Sequence, residues 1–87
     1  MAKSVWKFKV TTGEQKLRLP SGATPLDVQV QNGDPCVWFL VDDSNDTEVR
    51  SIQAFGTGHK VPDSIGDYIG TFQLNNGMLV FHLFFTG

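Results

Sequence analysis

LDVQVQNGDPCVWFLV, residues Leu26 to Val41, holds two kinds of strand on either side of one turn. In its first half Leu26, Val28 and Val30 alternate with Asp27, Gln29 and Gln31, the period of two that marks a strand with one apolar face. NGDP then interrupts the pattern with the residues that tight hairpin turns favour. In the second half both phases are apolar: Val37, Phe39 and Val41 on one side, Cys36, Trp38 and Leu40 on the other. A strand of that composition is expected to be covered on both faces.

The same alternation extends outward in both directions. Trp6, Phe8 and Val10 are opposed to Lys7 and Lys9, and Leu17 and Leu19 to Lys16 and Arg18, with TTGE turning the chain between them and PSGATP closing the second strand. Downstream, DDSNDT reads as an acidic hairpin tip and EVRSIQAF as a more polar strand, with Arg50 and Ile52 opposed to Val49 and Phe55. SIGD is expected to form a short helical turn capped by Asp63 or Ser64, and YIGTFQL resumes extended structure. NNG signals a second primed-turn hairpin into MLVFHLFF, where Leu79, Phe81, Leu83 and Phe85 alternate with Val80, His82 and Phe84.

These segments predict an all-β, single-domain antiparallel β-sandwich or barrel of about seven strands over residues 1–87, with a largely meander-like strand order. The strands beginning at Cys36 and Met78 are apolar on both faces, more than one small core uses. Their second faces, through Trp38, Phe84 and Val80, are expected to meet another subunit, so a homo-oligomer is predicted.

Composition narrows the function classes. A net charge of -2 gives no general attraction to phosphate backbones or anionic lipid, so neither nucleic-acid backbone binding nor membrane binding is expected. No signal-peptide core or membrane-spanning apolar run is present, and the single cysteine suits a reducing cytoplasm. Cys36, His59 and His82 show no metal-ligand spacing, and Cys36 follows Pro35 at a strand start, where nothing lowers its pKa. No metal, cofactor or catalytic residue is therefore assigned, and His82 is expected to be a strand histidine satisfied by a neighbour.

AFGTGHKVPD, residues 54–63, is the candidate site. Gly56 and Gly58 can adopt positive φ and turn successive N–H groups toward an anion, with Thr57, His59 and Lys60 as further donors. Arg50 would add a bidentate charge, and Trp38, Tyr68 or Trp6 a stacking face. The spacing is not that of a P-loop, and the bland alternative is a loop whose glycines serve a turn between two sheets.

Three stretches, DVQVQNGDPCVWFLVDD, FGTGHKVPD and YIGTFQLNNGMLVFHLFF, resemble in order a family of small tailed-phage proteins. Those proteins read VQxQNGxPCxW…LVD, GTGHxxP and YIGTFQxxxGxLVFHxF, here Val28 to Asp42, Gly56 to Pro62 and Tyr68 to Phe84; VWKFKV is similar to their WKF start. The resemblance implies phage origin and a small all-β fold, and it carries no established activity; with the cytoplasmic expectation above, the place of the protein is expected to be the host cytoplasm. For such a phage protein the expected role is non-enzymatic: an anti-defence sponge or inhibitor that sequesters a nucleotide-derived host immune signal. The alternative is a structural or protein-binding accessory, either a virion component or an inhibitor docking on a host protein.

Overall fold

The computed structural model describes residues 2–86. It contains seven strands: β1 (Lys3–Lys9), β2 (Gly13–Pro20), β3 (Thr24–Gln31), β4 (Asp34–Asp42), β5 (Thr47–Gly56), β6 (Asp67–Leu74) and β7 (Leu79–Thr86). All pairings are antiparallel, in a three-stranded sheet ordered β1-β4-β3 and a four-stranded sheet ordered β2-β5-β7-β6. The expected all-β antiparallel sandwich is what the chain forms.

The expected meander is not. Of the consecutive strands, β3–β4 and β6–β7 pair as hairpins, whereas β1–β2, β2–β3 and β4–β5 each cross between sheets. The reason lies in the apolar faces. β1, β2 and β3 each have one, and splitting them between two layers lets those faces cover one another across the core. Both hairpins carry the primed turns that NGDP and NNG announce. Asn32 (φ 51°) and Gly33 (φ 85°) join β3 to β4; Asn75 (φ 52°) and Asn76 (φ 56°) follow β6, where the Gly77 amide donates to the Leu74 carbonyl at 3.2 Å.

DDSNDT is a link between sheets instead of a hairpin tip. The Asp42 carboxylate accepts from the Ser44 amide at 3.1 Å and from the Ser44 hydroxyl. These bonds, the side-chain one foremost, hold the Asp42 carboxyl below its ordinary value of 3.8. Asn45 Nδ2 donates to the Ser21 carbonyl and the Ser21 amide to the Asp46 carbonyl, each at 2.9 Å, so this link is tied to the one between β2 and β3. SIGD likewise forms no capped helical turn: Pro62 to Ile65 make a single reverse turn closed by the Ile65 amide on the Pro62 carbonyl at 3.0 Å.

The core is filled by Leu19, Val37, Phe39, Val41, Ile52 and Leu83, each no more than 1% exposed. Phe39 sits among aromatic rings, with Phe8 6.0 Å and Phe85 5.4 Å away between centroids. The two strands read as apolar on both faces, β4 and β7, are interior strands of their sheets. Their outer phases are only partly covered: Cys36 is buried, and Trp38, Leu40, Val80, His82 and Phe84 are half-buried.

Two irregularities shift strand phase. The β3–β4 register slips between Pro25 and Asp27, and the β6–β7 register between Tyr68 and Gly70. Because a single extra residue reverses the facing of everything beyond it, Leu26 is displaced from the inward set predicted for it and is 50% exposed. Val30 lies at the strand end, beyond the cover of the core, and is 39% exposed.

Candidate functional site

The segment after β5 begins with a tight turn. The His59 amide donates to the Gly56 carbonyl at 3.0 Å, and Gly58, at the third position, has φ 88°. That is a type II turn, whose third position favours glycine. The Thr57 amide donates to the Val80 carbonyl at 3.1 Å, prolonging the β5–β7 ladder. The anion nest expected of Gly56 to Lys60 thereby loses two donors to backbone carbonyls, and the loop's glycine pattern is explained by the turn.

Side chains leave this turn in two directions. The His59 ring lies against Gly56, where an added methyl group would stand 3.0 Å from Cε1, and it lines a hollow of about 220 Å³ with Met78, Leu79, Val80 and Phe81. Thr57 points to the outer face of the four-stranded sheet, where its hydroxyl meets His82 Nε2 at 2.8 Å. Lys60 is exposed.

From Thr57 a chain of hydrogen bonds crosses that outer face. His82 Nδ1 is 3.0 Å from the Thr71 hydroxyl, which is 2.5 Å from the Tyr68 hydroxyl. At the other end the Thr57 hydroxyl is 3.5 Å from the Val80 carbonyl. A phenol is a better donor than acceptor, and the Val80 carbonyl can only accept. Both ends therefore favour one proton order: Tyr68 donates to Thr71, Thr71 to Nδ1, Nε2–H to Thr57, and Thr57 to the carbonyl. His82 is then the neutral Nε2–H tautomer, satisfied on both sides by hydroxyls.

Tyr68 and Thr71 share this face although they stand three positions apart. In a regular strand that spacing would put them on opposite faces; the register slip between Tyr68 and Gly70 reverses the phase, so Tyr68 pairs with Phe84 and Thr71 with His82. Tyr68 is 57% exposed; its ring stands edge-on to Phe84 at 5.7 Å, and Phe84 stands edge-on to Phe55 at 5.9 Å. The face thus combines a row of three aromatic rings with two threonine hydroxyls and an imidazole.

Two predicted site residues lie elsewhere. Arg50 is on the inner face, its guanidinium carbon 4.1 Å from the Phe85 ring centroid and Nη1 3.4 Å from the Glu48 carboxylate. Its Nε is buried without a partner among the described residues. Trp38 belongs to the outer face of the other sheet, opposite Lys7 and Asp27 in register. Their strand phases, inward for Arg50 and outward on the second layer for Trp38, keep both from joining the loop. His82 was legible as a satisfied strand histidine; Thr71, Phe84 and Phe55 were not singled out as its neighbours, because the phase reversal that gathers them leaves no compositional mark.

Fold and face together define a small two-layer β-sandwich with a polar-aromatic outer sheet face beside a tight glycine turn. The chain belongs to the DUF7352 family, a domain of unknown function that matches residues 1–87. No curated protein and no solved structure matches it. No helix among the described residues is long and apolar enough to cross a membrane.

Proposed function

We propose that this is a non-catalytic binding protein for a small, planar, anionic ligand of the nucleotide class, held on the outer face of the four-stranded sheet beside the Gly56 to Lys60 turn. The observation that carries the reading is Tyr68: the residue is 57% exposed while its hydroxyl is held by Thr71 and its ring packs against Phe84. A ring held in place offers a stacking surface at little cost in conformational entropy. Lys60, exposed beside the turn, supplies positive charge for phosphate. Trp38 and Arg50 take no part.

In the setting that the sequence resemblance implies, such a protein works in the cytoplasm of a bacterial host, sequestering a nucleotide-derived immune signal. Capture without turnover requires binding groups and no activated attacking group. In the proton order above the Thr57 hydroxyl donates to a carbonyl, and His82 Nε2 donates to Thr57 instead of taking its proton. The test is calorimetric titration with mononucleotides, cyclic dinucleotides and adenosine-diphosphate ribose. Binding of at least one class is expected, weakened about fivefold or more by Tyr68→Ala, since base–aromatic stacking is worth ~1–3 kcal/mol, and unchanged by Trp38→Ala. Absence of binding to all three classes, or Tyr68→Ala binding as wild type, refutes the reading.

A further inference from the structure

The outer face of the three-stranded sheet carries side chains that the core does not use. Register sets three rows across β1, β4 and β3: Val5–Leu40–Thr24, Lys7–Trp38–Asp27 and Lys9–Cys36–Gln29. Val5 is 55% exposed, and with Leu26, Asp27, Gln29 and Trp38 it lines a shallow hollow of about 370 Å³. Leu26 reaches this face only through the register slip between Pro25 and Asp27. Bulges of this kind re-aim side chains. Here a leucine that the strand's alternation would bury is turned outward, next to a half-buried tryptophan. An apolar cluster so displayed, rimmed by charge, is the composition of an interface.

We infer that a second copy of the chain covers this face, related by a twofold axis that runs along β4 between the two stacked sheets. Two identical sheets stacked face to face can be related by an in-plane twofold either along or across their strands. The charges decide between them. An axis across the strands through the Trp38 row sets Lys7 against the partner's Lys7 and Asp27 against the partner's Asp27, which is repulsive twice over. An axis along β4 exchanges the places of β1 and β3. By register Lys7 then lies opposite the partner's Asp27 and Asp27 opposite the partner's Lys7, the Lys7 ammonium exchanging the bond it makes across β4 within one chain, to Gln31 Oε1 at 2.9 Å, for the partner's carboxylate; Val5 meets the partner's Leu26, and the two Trp38 rings meet at the centre.

The contact is self-complementary, with an aromatic and aliphatic middle flanked on both sides by opposite charges. The Asp27 carboxylate is already oriented for that role: it accepts from the Val28 amide and from Gln29 Nε2, both at 2.8 Å, which holds it at the rim of the hollow. This contact is independent of the ligand site, which lies on the other sheet.

Sedimentation equilibrium from low-micromolar to near-millimolar protein tests it. A monomer–dimer equilibrium is expected, abolished by Leu26→Asp and by Trp38→Ala while the circular dichroism of the folded chain is retained. The decisive arm uses Lys7→Asp and Asp27→Lys as two separate proteins. Each alone presents one sign of charge on both flanks and should stay monomeric; mixed in equal amounts they should form a heterodimer, because the carboxylate introduced at position 7 meets the lysine introduced at position 27. A chain that stays monomeric throughout overturns the inference. So does a dimer that survives Leu26→Asp, which would place the contact on another face, or a mixture that fails to associate although both variants fold. Should Asp27→Lys not fold, the oligomeric states of Leu26→Asp and Trp38→Ala decide between support and refutation.

Discussion

Gly66 stands where the chain enters β6, and a methyl group placed there would lie 1.9 Å from the Phe85 carbonyl oxygen, 3.0 Å from its carbon and 3.2 Å from Thr86 Cα. These are backbone atoms of β7, an interior strand, so no rotamer change relieves the overlap. Either the entry to β6 moves outward by about 1 Å or β7 is pushed toward β5, and overpacking of this kind costs about 1–3 kcal/mol. Alanine also restricts the unfolded chain, which returns roughly 0.4–1 kcal/mol. Gly66→Ala should therefore destabilise by about 1–2 kcal/mol, out of a total of roughly 4–13 kcal/mol for a domain of this length. At about 4–8 °C per kcal/mol the melting temperature should fall by some 5–15 °C. Because Tyr68 follows two residues later, the same shift should loosen its contact with Phe84 and weaken the near-ultraviolet tyrosine signal. Thermal melts and near-ultraviolet circular dichroism read both effects. A variant that melts within a degree or two of wild type, with an unaltered tyrosine signal, would refute the claim that β6 is seated by direct backbone approach.

Other expectations follow from single residues. Phe39→Ala empties the centre of the ring cluster formed with Phe8 and Phe85 and should cost about 3–5 kcal/mol in urea titration, while Phe39→Leu should cost markedly less. The proton order along the outer face predicts that His82 is the Nε2–H tautomer, readable from imidazole nitrogen shifts in nuclear magnetic resonance. Thr71→Val, which takes the donor away from Nδ1, should alter those shifts far more than Tyr68→Phe does, and a dominant Nδ1–H form in the wild type would contradict the order. Arg50→Met should be close to neutral in stability, since it removes a buried Nε that has no partner along with the ring contact on Phe85; Arg50→Ala, which also loses the packed stem, should destabilise. Asp42 has a folded pKa below its unfolded value, so the stability it contributes is complete above the unfolded value of 3.8 and is lost as pH falls through the lower folded one. The gap in melting temperature between wild type and Asp42→Asn should therefore be widest near neutral pH and close in acid.

Much of the scaffold could be read from local chemistry. Strand alternation placed Leu17, Leu19 and Phe39 inward, and the asparagine-bearing turns declared both hairpins, because in each case the signal is carried by adjacent residues; for β5 it paired Ile52 with Arg50 without telling which side faces in. β4 and β7 were recognisable as covered strands from their double apolar phase, although their outer faces retain more solvent contact than that pattern suggests. Strand order was not legible: which sheet a strand joins depends on contacts dozens of residues away. The bulges at Leu26 and Ile69 were invisible for a related reason, since one extra residue has no composition of its own, yet it moves Leu26 outward and brings Tyr68 and Thr71 together. The loop reading erred differently. It counted Thr57 and His59 amides as open donors, and the fold pairs both with carbonyls.

The strand order also sets a timetable. Among the described residues β1 pairs only with β4, and β2 only with β5, so these two strands have nothing to pair with until some thirty further residues have been made. In the four-stranded sheet β7 lies between β5 and β6, and until it is inserted neither has its full set of ladder partners. Domains ruled by such distant pairings fold slowly, in milliseconds to seconds. Nascent chains thus carry unpaired strand edges through most of the synthesis of this β-sandwich, and the lysines of β1 and β2 keep those waiting edges from pairing with the wrong neighbour.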